Sequence, residues 1–140
     1  MFSKIFLIIL ALVVAGSFTP TDNYLSIGGQ KVMVEIANTD AARARGLSGR
    51  AALGENQGLL FIFDAPDKYD FWMKEMNFPI DIIWIDEHWR VAEISKNLSP
   101  ATFPRSFQPA RPVKYVLEVT AGWAEKNNLP IGAPVSLNKK

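Results

Sequence analysis

The hydrophobic and polar pattern of the chain is organised around Phe71–Asp86, FWMKEMNFPIDIIWID. Phe71 and Met73 point one way and Asp70, Trp72 and Lys74 the other, which predicts a strand over Tyr69–Lys74. Asn77-Phe78-Pro79 interrupts pairing, because Pro79 lacks a donor and fixes its own φ. Ile80–Ile85 then resumes as strand. Ile80, Ile82 and Trp84 share one face, and Asp81, Ile83 and Ile85 the other. Apolar residues on both faces predict a central strand, or one covered on both sides.

The same reading places the other elements around this unit. Tyr24–Ile27 and Lys31–Ala37 form an opening hairpin about Gly28-Gly29, a pair suited to a two-residue loop. A short helix over Asp40–Arg45 is capped by Asn38 or Thr39 and ended by Gly46 in the left-handed conformation. Ser48–Gln57 reads as a further helical turn and a loop. Gly58–Phe63 is an apolar strand, and Asp64–Asp67 a turn with Pro66 in its second position. Arg90–Ser95 returns antiparallel to Ile80–Ile85. Asn97–Pro112 is a long irregular segment stiffened by four prolines, of a length that is often functional. Val113–Val119 is a clean strand. Thr120 caps a second helix running to about Asn127 with Trp123 as its anchor, and Pro134–Leu137 is a last strand. Hairpin links dominate and no long crossover helix follows a strand, which disfavours a doubly wound sheet. The expected fold is α+β and mainly antiparallel, a barrel-like or strongly curled sheet with two short helices.

Composition narrows the picture. The chain of 140 residues suits one domain. Met1–Lys4 is a basic start, Ile5–Ala15 an unbroken apolar run, and Gly16-Ser17 a pair of small residues. That is the layout of a signal peptide over residues 1–17, shorter in its apolar part than the ~20 residues of a spanning helix. Residues 18–26 read as leader and 27–138 as the domain. The protein is expected to be exported, periplasmic or secreted, with an uncleaved N-terminal membrane anchor as the alternative. Cysteine is absent, so disulfides, thiol chemistry and thiolate metal sites are excluded. Fifteen Lys and Arg face fourteen Asp and Glu without a basic stripe, which argues against nucleic acid as a partner.

Candidate chemistry is sparse. The one histidine, His88, sits in a polar turn without a serine partner, and no acid run resembles a calcium loop, so neither a metal nor any other cofactor is expected. Asp81 stands out, because an acid in an apolar strand must be paired, hydrogen-bonded or open to a pocket. It is the candidate acid or base, with acceptance of backbone donors from the Met76–Phe78 turn, or an arginine partner, as the structural alternative. Lys74 approaches it if the two flanking strands pair. Arg43 and Arg50 flank the helix end at Gly46; Arg43 either meets a ligand anion or staples the loop. Glu118 is a counter-ion for one of those arginines. Trp84 and Trp123 read as core, Trp72 and Trp89 as partly exposed rings of the kind on which sugars stack.

Several ordered blocks resemble the bacterial and archaeal family called domain of unknown function 192 (DUF192). They are Ala42-Arg43, Gly46-Leu47-Ser48 and Arg50, Gly58–Phe63, Phe71–Lys74, Pro79–Asp86, then Ser106, Pro109-Ala110, Val116–Glu118 and Gly122. The resemblance spans Ile27–Leu137. It implies a compact, mainly β domain with short helices, frequent export, and a shared polar cleft whose matching positions are Arg43, Arg50, Lys74, Asp81, Ser106 and Glu118. Ser48, where the family commonly has a larger apolar residue, and Glu75-Met76-Asn77, where a small polar turn is usual, depart from its pattern. The expected function is binding of a small polar ligand, a glycan among the candidates, in a cleft lined by Arg43, Lys74 and Asp81. An envelope hydrolase using Asp81, or an interaction module without a ligand site, are the alternatives.

Overall fold

The computed structural model describes residues 17–140. The signal segment therefore falls, but for Ser17, outside the described residues. Nine strands follow in chain order: β1 Tyr24–Ile27, β2 Gln30–Ala37, β3 Gln57–Asp67, β4 Phe71–Trp72, β5 Ile80–Ile85, β6 Val91–Leu98, β7 Ser106–Phe107, β8 Val113–Thr120 and β9 Val135–Asn138. Two short helices, α1 Asp40–Arg45 and α2 Trp123–Lys126, complete the α+β architecture. Seven strands make one sheet in the order β6-β5-β8-β3-β2-β1-β9, and β4 and β7 form a separate ribbon.

The sheet is mixed rather than purely antiparallel. β2 and β3 run parallel, with α1 and its following loop as the crossover, and every other pair is antiparallel. Its curl is strong enough that the two edges meet, at an isolated bridge between Arg90 and Pro134. The sheet is thus a strongly curled half-barrel, in which β6 and β9 remain edge strands beyond that bridge. The sheet begins at Tyr24, within the stretch read as leader. The opening hairpin forms as expected: Ile27 faces Gln30, and Gly28 and Gly29 take φ of 55° and 77°, the positive values that a tight two-residue loop demands.

Both faces of the sheet are covered, because the central strands present apolar residues to both sides, with Asp81 and Glu118 as the buried exceptions. One face holds Leu25, Val34, Leu60, Ile83, Leu117 and Val119, packed against Trp123 and Ala124 of α2. The other holds Leu59, Phe61, Ile82, Trp84 and Val116, packed against Leu47, Met73 and Met76 from the connecting segments. All of β5 is buried, in accord with its two-faced apolar pattern.

Four local expectations change. β3 continues through Pro66 to Asp67 instead of turning at Asp64; this outer end is exposed and irregularly paired with β8, where a missing proline donor does no harm. Only Phe71-Trp72 of the expected Tyr69–Lys74 strand forms, and it pairs with β7, not β5. The segment Asn97–Pro112 is accordingly not irregular throughout: it supplies the end of β6, a 3-10 turn over Pro100–Thr102, and β7. Gly46 ends α1 at φ 52° and ψ −136°, outside the left-handed helical basin and in a region that essentially only glycine enters. Thr39 caps α1, accepting from the Ala42 N–H at 3.1 Å.

Candidate functional site

Asp81 is fully buried on the α2 side of the sheet. The β5–β6 register slips between Ile80↔Leu98 and Ile82↔Ser95, so Lys96 and Asn97 both lie opposite Asp81. Such a bulge leaves a backbone donor unpaired. Asp81 Oδ1 accepts from the Asn97 N–H at 2.9 Å and the Gly122 N–H at 3.2 Å, and Oδ2 from the Ala124 N–H at 3.0 Å. The carboxylate thus mends the bulge and caps α2. Thr120, expected to cap that helix, does not: Gly122 holds the cap position without a side-chain bond. Asp81 accepts backbone donors, but from Asn97, Gly122 and Ala124 instead of the expected Met76–Phe78 turn or an arginine. Lys74 is not its neighbour. The lysine is exposed, with Nζ 5.4 Å from the centre of the Trp72 ring.

Glu118 occupies the opposite situation. It lies on the other face, and its cross-strand partners are Leu59 and Ile82. Glu35 faces Leu59 from the far side, so the two glutamates share one cross-strand row on either side of β3. Arg50 reaches this row and donates to Glu35 from its two terminal guanidinium nitrogens, Nη1 and Nη2. The expected arginine counter-ion is therefore Glu35. Glu118 is 5% exposed, and its Oε2 is buried without a hydrogen-bond partner among the described residues. Burial pushes its pKa up from 4.5 to about 8, and the positive charge of Arg50 offsets only part of that. The upward shift favours the protonated carboxylic acid, a proton donor, near neutral pH.

The same acid borders an open recess of about 280 Å3 between α1 and the β4–β7 ribbon, lined also by Arg43, Ser48, Phe63, Tyr69, Asp70 and Trp72. Phe71 anchors the ribbon, edge-on to Phe61 at 4.9 Å and Trp84 at 5.4 Å. Alternation then turns Trp72 outward, 51% exposed. Tyr69 stacks on Phe63 at 3.6 Å to extend the aromatic wall. Arg43 is a staple: it donates to the Ile62 carbonyl at 2.8 Å and to Asp40 at 2.7 Å, tying α1 to β3. Across the ribbon, Trp72 and Ser106 are facing partners, and a second recess of about 410 Å3 is lined by Asp70, Phe71, Trp72, Pro104 and Ser106.

Of the seven predicted site residues, Arg43, Trp72 and Glu118 therefore line the first recess, and Trp72 and Ser106 the second. Arg50 sits under α1 with Glu35, and Lys74 and Asp81 line neither recess. Tyr69 and Asp70 were missed as site residues. The signal that singled out Asp81, an acid in an apolar strand, applies equally to Glu118 in YVLEV. The two departures from the family pattern meet at one seam. Ser48 donates to the Lys74 carbonyl at 2.9 Å, Gly49 to the Glu75 carbonyl at 2.8 Å, and Asn77 to the Arg50 carbonyl at 2.9 Å. No cluster of three or more metal-ligating side chains occurs among the described residues.

The model of the family DUF192, described as "Uncharacterized ACR", matches residues 23–137. A protein of unknown function from Novosphingobium aromaticivorans DSM 12444 is similar at 31% identity and a TM-score of 0.77, over 81% of this chain and 83% of that one. A candidate transcription regulator from Sinorhizobium meliloti 1021 shares the fold at 24% identity and a TM-score of 0.77, over 86% of this chain and 97% of that one. No curated protein matches the chain.

Proposed function

For a chain that belongs to the DUF192 family, we propose a binding function: the recess between α1 and the β4–β7 ribbon takes a small, uncharged, hydroxyl-rich molecule of the sugar class. One observation carries this reading. A buried, proton-bearing Glu118 without a partner for Oε2 stands in the wall of a recess that also presents the half-exposed Trp72 ring. A buried polar group of this kind calls for a partner, and a ligand hydroxyl that enters the recess supplies one. The aromatic wall offers a flat apolar surface for the face of a sugar ring. The volume of the recess, about 280 Å3, lies just below the usual range for ligand pockets, about 300–1,000 Å3, and suits a small ligand. Asp81 and Lys74 have no part in this reading.

The test is isothermal titration of the purified protein with a panel of neutral monosaccharides. Glu118→Gln, which keeps a neutral donor, retains binding; Glu118→Leu, which keeps the volume and loses the donor, abolishes it. Equal affinity in the two variants overturns the assignment of Glu118. A second reading rests on Asp70, which lines the same recess. A neutral Glu118 and an exposed Asp70 are the two carboxyl groups that glycoside hydrolysis uses, one as proton donor and one as base or nucleophile. Release of reducing ends from neutral glycans that stops in Glu118→Gln, while binding persists, selects the hydrolase.

The proposal includes export. Its support is the basic start, apolar run and small residues of Met1–Ser17. N-terminal sequencing of the protein recovered from the envelope fraction tests it; a full-length cytosolic form alone refutes it. Among the described residues no helix is long and apolar enough to cross a membrane.

A further inference from the structure

We infer that the ligand is not a single sugar but an uncharged oligosaccharide, laid from the Glu118 recess across Trp72 into the recess beside Ser106. The inference rests on the sugar-site reading above and extends it. Asp70, Phe71 and Trp72 line both recesses, so the two hollows share the ribbon as their common wall. The first, at about 280 Å3, has room for one small unit and is open to solvent, while the second, at about 410 Å3, lies directly beyond the shared residues. Their meeting point is the largest exposed aromatic surface of the described residues. Trp72 is 51% exposed and Phe103, 44% exposed, lies 5.2 Å from it at a tilt of 55°. An exposed Trp72 ring shared by the two hollows, with Phe103 beside it, suits a chain of rings that each present one apolar face.

Charge decides which chain. Asp70 is exposed and stands in both recesses. The first is lined also by Arg43, which Asp40 and the Ile62 carbonyl engage, and by Arg45. The second has no cation in its lining, so an acid-bearing unit meets an unopposed carboxylate there. Lys74 lies near the Trp72 ring but lines neither hollow, so it does not reverse that preference. Neutral units gain instead, since Asp70 accepts from hydroxyls and Ser106 both donates and accepts. The Glu118 end holds the terminal unit, Trp72 stacks the next, and Ser106 meets the one after.

The experiment titrates the full chain with mono- to tetrasaccharide series of glucose and of N-acetylglucosamine, with an oligouronate of equal length as the charged control. Affinity is expected to rise at least tenfold from the monosaccharide to the trisaccharide and then level off, and the oligouronate to bind more weakly than the neutral trimer. Trp72→Ala, at a half-exposed position, is expected to weaken the monosaccharide as well and to erase the gain, so that the trisaccharide binds no more tightly than the monosaccharide in that variant. Ser106→Ala lowers only the affinity for the trimer and tetramer. Affinity independent of length, or a length gain that survives Trp72→Ala, overturns this inference and leaves the single-sugar site standing. Absence of binding to every saccharide, with Glu118→Leu indistinguishable from the parent, overturns both.

Discussion

At the residue scale, two acids planted in apolar strands have opposite fates, and the hydrogen-bond count decides between them. Asp81 has three backbone donors on its two oxygens, whereas Oε2 of Glu118 has none among the described residues. Charge-assisted bonds to backbone N–H groups stabilise an ionised carboxylate, while an unpartnered buried acid destabilises the fold it sits in. Opposite mutational effects follow. Asp81→Asn turns an amide N–H2 toward a backbone donor at the bulge or at α2, and is expected to lower stability by about 2–4 kcal/mol in chemical denaturation. Ligand affinity of the fraction that folds stays unchanged. Glu118→Leu is expected to raise stability by about 1–2 kcal/mol in the same measurement while binding disappears. A Glu118→Leu protein less stable than the parent contradicts the unpartnered state of that acid.

Two small devices hold the site at the scale of elements. Phe71 pins the β4–β7 ribbon by edge-on contacts with three aromatic rings of the sheet, Phe61, Phe63 and Trp84. Removing that ring in Phe71→Ala is expected to cost about 2–3 kcal/mol, and to speed hydrogen exchange of the ribbon amides well beyond that of β5. The Arg50–Glu35 pair, both largely buried, ties the loop after α1 to β2. Arg50→Ala leaves Glu35 without its cation and takes away the charge that moderates Glu118. The expected loss is about 2–4 kcal/mol at pH 7, with the midpoint of Glu118 titration, followed by carboxyl 13C shifts, moved further up. A midpoint moved down places Arg50 away from Glu118.

The whole molecule inherits the titration of that one acid. Glu118 binds its proton more tightly when folded, at about 8, than its ordinary value of 4.5. Between those two values the native chain holds a proton that the unfolded chain has released. Stability therefore falls as pH rises from about 4.5 to about 8, and levels off above. The drop is on the order of a few kcal/mol, and it is absent in Glu118→Leu, which a pH series of thermal melts checks. Ligand binding that depends on the neutral acid weakens over the upper part of the same range.

Much of this molecule is written in local sequence. The Gly28-Gly29 hairpin, the cap at Thr39, the two-faced β5 and the core tryptophans Trp84 and Trp123 depend on near neighbours, on φ restrictions and on side-chain periodicity. Alternation even put Trp72 outside and Phe71 inside. Strand partners are another matter. β4 joins β7 across more than thirty residues of chain, β2 lies parallel to β3, and the edges meet at Arg90 and Pro134. Those choices follow from where loops close and which faces find cover, so no short window of sequence contains them. Asp81 and Glu118 each read as an acid in a greasy strand. Only the bulge at Asn97 and the docking of α2 gave Asp81 its donors, and only the ribbon folding back beside α1 placed Glu118 in the wall of a recess. Composition and periodicity determine that a carboxyl group will be buried; the partners it meets there depend on backbone brought in from distant parts of the chain.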